Sequence, residues 1–262
     1  MRILISLVFL LITTSSFAVT FDGKFIQGSF ILGKTEPGSE IFIDKKKVKV
    51  TSDGFFVFGL GRDRKNDVVI RINEKKIVKK VFKREYKIQI IDGLEQKKVT
   101  PPEEVYERIK RENKWIGEVR AINSDLTFFK NKFAIPIENA IITGVYGSQR
   151  ILNGIPKWPH YGLDFAVEQG TKIKAMLDGT VTLAEPDLFY TGGTLIFDHG
   201  HGISTLYMHM KKILVKKGQK VKQGDIIGTV GSTGRATGAH LDVRLNWFQT
   251  RLDPATVLDI RN

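Results

Sequence analysis

The sequence predicts a mainly β protein: a small antiparallel β-sandwich of Ig-like type, then a linker helix, then a glycine-punctuated β half. Three observations carry that reading. From Phe25 to about Ile91, short β-branched and aromatic runs alternate with polar residues and are broken by turn signals. Helical spacing of apolar residues occurs in one long segment, where Val105, Ile109 and Ile116 recur. From Phe133 onward the composition is again β with frequent glycine, with no sign of a further helix longer than a turn or two. At 262 residues, 42% hydrophobic and 26% charged, the chain can build one large core or two small ones. Disorder, collagen and coiled coil are excluded as overall descriptions.

Taken in order, residues 1–18 read as a cleaved secretory signal. Arg2 precedes the apolar run Ile3 to Ile12, and Ser16-Phe17-Ala18 is a small-x-small cleavage site. The apolar run is about half of the roughly 20 residues a spanning helix needs, so export to the periplasm or cell wall is expected, with no stable membrane span after cleavage. Residues 19–95 form the sandwich. Phe30/Leu32, Ile41/Ile43 and Val48/Val50 alternate with polar neighbours, and Asp53-Gly54 between two runs predicts a hairpin there. VVIRIN and KKIVKKVFKREYKIQII bring the strands to six or seven. No catalytic constellation lies in this part, which leaves it recognition, spacing or stability. Residues 96–134 form the linker, where Thr100-Pro101-Pro102-Glu103 reads as a capping box with proline at the first helical position.

Charge and cysteine bound the chemistry. Lys+Arg number 41 against 28 Asp+Glu, and most of the excess lies in residues 19–134, with 26 against 17, rather than in residues 135–262, with 14 against 11. That balance fits an anionic wall polymer or a membrane surface, and equally well solvated strand faces; no nucleic-acid partner is expected. The absence of cysteine excludes disulfides, a thiol nucleophile, iron–sulfur ligation and thiolate zinc sites, so a metal must sit on His, Asp or Glu.

All five histidines fall between His160 and His240. His160 and Asp164 form H-x-x-x-D, where Pro159 and Gly162 argue against a helix and a turn entering a strand could fold the ring back towards the carboxylate. Such a pair serves equally as a surface hydrogen bond. In LYMHM, strand alternation puts His209 on the face of Tyr207, opposite Leu206, Met208 and Met210, a pattern that a structural histidine would also give. In HLDVRL, His240, Asp242 and Arg244 share one face and Leu241, Val243 and Leu245 the other. An imidazole and a carboxylate with apolar backing suit a metal ligand beside an acid–base group, or a plain cross-strand polar pair. His199 and His201 in DHGHG read as turn residues without a role. The glycines of VKKGQKVKQGDIIG resemble the hairpin of lipoyl- and biotinyl-type barrels, but without a lysine-bearing carrier turn they read as tight turns in a compact β-barrel.

In their order along the chain, PHYGLDFAVEQGTKIKAMLDGTV, GGTLIFDHGHGISTLYMHM, VKKGQKVKQGDIIGTVGSTGRATGAHLD and RLDP resemble the lysostaphin-like, LytM-type zinc metallopeptidases of bacterial cell walls, from about Gly144 to Leu258. For residues 135–262 the resemblance implies a barrel-sandwich-hybrid metallopeptidase domain. It implies an exported endopeptidase that hydrolyses an amide bond in peptidoglycan cross-links with metal-activated water. One zinc would be held by His160, Asp164 and the last residue of an H-x-H motif, with His209 and His240 assigned to water activation and transition-state stabilisation. Here that motif reads H-L-D, which places Asp242 at the third ligand position. An oxygen-rich set tilts the preference towards Mn2+ or another divalent ion as an alternative to zinc. A catalytically degenerate wall-binding protein that regulates or recruits another hydrolase is the competing expectation, and an Ig-like adhesin with a degenerate barrel is a third.

Overall fold

The computed structural model describes residues 18–93 and 96–259, so the signal segment expected at residues 1–18 lies, but for Ala18, outside the described residues. The protein is mainly β. Among the described residues no helix is long and apolar enough to cross a membrane.

The alternating runs of the first part become two antiparallel sheets. Phe30–Lys34 lies between Thr20–Asp22 and Phe55–Gly59 in a three-stranded sheet. Ile41–Ile43 and Val68–Ile72 form the centre of a four-stranded one, flanked by Lys46–Val48 and Lys75–Lys79. Ile31, Ile41, Phe56, Phe58 and Ile70 fill the space with no exposed surface. One turn expectation needs correction. Asp53-Gly54 does not close a hairpin, because the strand before it pairs with Ile41–Ile43 and the strand after it with Phe30–Lys34. The two-residue hairpins close at Asp44 and Asn73, whose φ angles of 54° and 51° are ones that short Asx side chains tolerate.

The last strand expected in the sandwich leaves it. Ile88–Ile91 runs parallel to Gln149–Leu152 in a separate sheet with Ile155–Pro156. The linker helix is present as Tyr106–Arg120, preceded by a 3-10 turn over Glu103–Val105. The capping box is not formed: Pro102 occupies the cap position with extended backbone and no side-chain hydrogen bond. The cause is local, since a residue preceding proline is driven out of the helical region, and Pro101 precedes Pro102. The helix is held instead by Glu112, which accepts from Arg108 Nε at 2.6 Å and from the backbone N–H of Phe189 at 2.8 Å. Val119 packs with Leu183, Leu188, Ile196 and Leu206 beneath it.

In the second half, one ten-stranded sheet carries the long strands Gly179–Leu188, Gly192–Gly200, Ile203–Ile213 and His240–Trp247 as successive antiparallel neighbours, followed by Leu163–Ala166 and Ile141–Gly144. Ile226–Val230 pairs with both Ile203–Ile213 and Lys172–Lys174 and folds the sheet around a core that includes Ile173, Ile227 and Leu241. His199 lies inside Gly192–Gly200 rather than in a turn; His201 does sit in the turn that follows, its ring tilted against Phe129 at 4.7 Å. The His199 ring is fully buried, with Nδ1 at 2.7 Å from the Asp178 carbonyl and Nε2 at 2.8 Å from Thr205 Oγ1.

Both halves share one apolar core. Phe30 meets Phe133 edge-on at 6.0 Å, and Arg84 Nη1 donates to Asp253 Oδ2 at 2.6 Å. Asp253 is buried, its backbone N–H donates to Gly28 at 2.8 Å, and its Oδ1 caps the final 3-10 turn through Ala255 N–H at 2.9 Å. Replacement Asp253→Ala removes the cap and leaves Arg84 without its partner. It is expected to cost about 2–4 kcal/mol, measured by urea denaturation.

Burial pushes the His199 pKa down to about 4, outweighing the opposing carbonyl contact. An unfolded chain therefore binds more protons than the folded one between pH 4 and the ordinary value of 6.5, so this contribution is complete above 6.5 and is lost as pH falls towards 4. Wild type should lose about 2 kcal/mol more between pH 7 and pH 5 than His199→Gln, read as the shift of urea midpoints.

Candidate metal centre

Strand register builds the site. Leu163–Ala166 and His240–Trp247 are antiparallel neighbours in which Asp164 stands directly opposite Asp242. Leu241, Val243 and Leu245 are buried in the core on the other face, which commits the intervening residues to the cleft side. The two carboxylates are 6% and 2% exposed. Each lies over a glycine: a Cβ at Gly144 would come within 2.1 Å of Asp164 Oδ2, and one at Gly162 within 1.9 Å of Asp242 Oδ1.

His160 precedes the strand in an irregular segment whose backbone is tied to Ser148 and Gly147. Its Nδ1 faces the Val145 carbonyl at 3.3 Å, which places the proton on Nδ1 and leaves Nε2 as a lone-pair donor. Nε2 lies 3.0 Å from Asp164 Oδ1 and 3.3 Å from Asp242 Oδ2. Burial lowers the His160 pKa, but the neighbouring carboxylates of Asp242 and Asp164 outweigh it and hold the ring above its ordinary value. Burial alone would raise the Asp242 carboxyl; Arg244 and His160 reverse this and hold it well below the usual range.

The three residues fit a divalent cation. One atom from each, His160, Asp164 and Asp242, lies within 4.8 Å of the others. Asp164 Oδ1 is buried and has no hydrogen-bond partner, a deficit that a cation would remove. A donor set of one imidazole nitrogen and two carboxylate oxygens suits zinc or a harder ion.

His209 and His240 stand beside this centre with ring centroids 4.7 Å apart. His209 Nδ1 lies 2.8 Å from the Thr233 carbonyl and His240 Nδ1 2.9 Å from that of Gly238, so each ring has its Nε2 left as an acceptor. Burial, the largest influence, pushes the His209 pKa down to about 4. The expected shared face with Tyr207 is incorrect. His209 has a φ of 63° at a register break between Ile203–Ile213 and Gly192–Gly200, and this bulge turns it to the cleft beside Met208. Tyr207 points into the core, where its hydroxyl accepts from Met176 N–H at 2.8 Å.

Two arginines complete the centre. Arg244 Nη2 donates to Asp242 Oδ2 at 3.0 Å, and Arg150 Nη2 to Asp164 Oδ2 at 3.1 Å. Arg244 is legible from its period-two spacing with Asp242. Arg150 was missed, because its strand reaches the site only through tertiary packing and no local pattern marks it. The centre opens into a cleft of about 890 Å³, bounded by the start of the linker at Thr100 and Tyr106, by Trp158 and Tyr161, and by Arg235 and Arg251.

Residues 158–254 match peptidase family M23. The peptidoglycan DD-endopeptidase ShyA of Vibrio cholerae is 46% identical over 87 residues, which cover 33% of this chain and 20% of ShyA. An uncharacterized metalloprotease of Haemophilus influenzae is 41% identical over 99 residues, covering 38% of this chain and 21% of that protein. The chain thus spans about a fifth of the length of these curated relatives. A putative peptidase M23 from Pseudomonas aeruginosa, solved by crystallography, superposes with a TM-score of 0.69 at 28% identity over 89% of this chain and 95% of that one. The chain therefore carries a peptidase family M23 domain.

Proposed function

We propose that the protein is an exported, metal-dependent peptidoglycan endopeptidase of the periplasm or cell wall, cutting an amide bond in wall cross-links. The carrying observation is the pair of opposed, buried carboxylates with the His160 Nε2 lone pair and the unpartnered Asp164 oxygen at the floor of an open cleft. Relatives named as peptidoglycan DD-endopeptidases support the substrate class. Residues 1–18, with their apolar run and small-x-small end, support export.

His160, Asp164 and Asp242 would hold zinc, or manganese or another divalent ion. When bound, the ion supplies Lewis acidity towards the scissile carbonyl and lowers the pKa of water. The chain's own groups do the rest. His209, kept neutral by burial, takes the proton of the attacking water at Nε2. That proton passes from His209 Nε2 to the departing amine, and His240, half-buried beside it, offers its Nε2 as an acceptor that orients the reacting groups. Arg150 holds Asp164 at Oδ2, away from His160, Arg244 holds Asp242 at the Oδ2 that also faces His160, and both fix the carboxylate rotamers.

The same two arginines favour a second reading, a wall-binding regulator without catalysis, because guanidiniums can balance the carboxylates without any ion. Metal content and wall digestion separate the readings. Purified wild type should carry about one zinc or manganese per chain, and His160→Ala essentially none, by elemental mass spectrometry. Wild type should release peptide fragments from purified sacculi, identified by mass; His209→Ala should keep its metal and lose about 10²–10⁴ in rate. Cleavage gained only in Asp242→His would establish the regulator instead.

A further inference from the structure

Charge in the cleft exceeds what its own acids can balance. Four guanidiniums line it, those of Arg150, Arg235, Arg244 and Arg251. Arg150 and Arg244 are committed to Asp164 and Asp242. Arg235 and Arg251 meet no carboxylate among the described residues. The Arg235 guanidinium lies over the Tyr190 ring at 4.4 Å, a contact that gives its N–H donors no oxygen acceptor. Arg251 Nη1 donates to Asn246 Oδ1 at 3.1 Å, a neutral partner that leaves the charge uncompensated. Behind it, Arg120 is buried, donates through Nη2 to the Phe248 carbonyl at 3.0 Å, and has a buried Nε with no partner. Burial and the mutual repulsion of Arg120, Arg244 and Arg251 lower the pKa of Arg251 well below its ordinary value. Desolvated guanidiniums short of acceptors are stabilised by an incoming anion, and planar carboxylates match their fork.

We propose that Arg235 and Arg251 are carboxylate-binding residues of the cleft, and that the peptide it accepts is acidic, with free carboxylates flanking the bond presented to the His160, Asp164 and Asp242 centre. This rests on the reading of the cleft as a peptide-binding site. Arg235 stands with His209 and His240, and Arg251 with Arg244 and Tyr161, so the two guanidiniums read different parts of one ligand. Their restricted positions discriminate a carboxylate from the carboxamide of the same shape, because the amide's NH2 group would face donors.

The test uses the full chain and two fluorescein-labelled synthetic stem-type peptides, one with free carboxylates and one with the same groups as carboxamides. Binding is read by fluorescence anisotropy, independently of cleavage. Wild type should bind the acidic peptide about ten- to a hundredfold more tightly. Arg235→Gln and Arg251→Gln should each lose about tenfold of that preference, with carboxamide binding unchanged, and the Lys variants should recover part of it. Equal affinity for both peptides, binding of neither, or a preference that survives both Gln variants overturns the proposal. So does a preference that vanishes in His160→Ala but persists in the arginine variants, since it would assign the carboxylate to the metal. Carboxylate-dependent binding without digestion of sacculi refutes the endopeptidase and leaves this inference standing; digestion without carboxylate preference does the reverse.

Discussion

Two carboxylates opposed across one ladder position are the constraint around which the second half is arranged. At about 4 Å two like charges repel by about 4 kcal/mol even at an effective dielectric of 20, and each buried ion loses several kcal/mol of hydration. Asp164 and Asp242 persist because a guanidinium compensates each, Arg150 on one and Arg244 on the other, with the His160 ring between their oxygens. Gly144 and Gly162 give the carboxylates room. The register cannot slip, because a shift of His240–Trp247 by one residue would send Asp242 into the core and Leu241, Val243 and Leu245 to the cleft side.

That requirement explains why the first half is more than an appendage. Arg150 reaches Asp164 from the strand Gln149–Leu152, and that strand is paired with Ile88–Ile91, the segment that departs from the sandwich. The linker helix is pinned to the chain near Phe189 through Glu112, and residues just before the helix form a wall of the cleft. Asp253 and Arg84 fasten the far side. Cleft shape and counter-charge therefore both depend on contacts made by residues before position 135.

What was legible in the sequence follows the range of the interactions involved. The facing of His240, Asp242 and Arg244 is a period-two property of a single strand and can be read directly. So can the strand runs of the sandwich and the position of the helix. Asp53-Gly54 signals a tight turn, and a turn is there, but which strands pair beside it is decided by distant packing. The unformed capping box was foreseeable from Pro101-Pro102, since the constraint on a residue before proline is local. His209 shows the opposite case: simple alternation sends it into the core with Tyr207, and only the bulge, whose left-handed backbone is held by surrounding strands, turns it to the cleft. The role of Arg150 and the departure of Ile88–Ile91 are tertiary and left no local mark.

Asp242 and Arg244 are best understood as one unit. A histidine at position 242, as the lysostaphin-like resemblance implies, would bring a neutral donor; an aspartate adds a negative charge to a site that already holds one. Arg244, two residues further on the same face, supplies the compensating charge through Nη2 at 3.0 Å and Nε at 3.4 Å. The electrostatic balance of the centre is thus restored within a three-residue stretch of one strand. Arg244 also raises the positive potential felt by Arg251, so the guanidinium that steadies the Asp242 carboxylate also tunes a second residue of the cleft wall. Removing its charge would disturb both at once, whereas Arg235, outside that network of direct bonds, can change without moving either carboxylate.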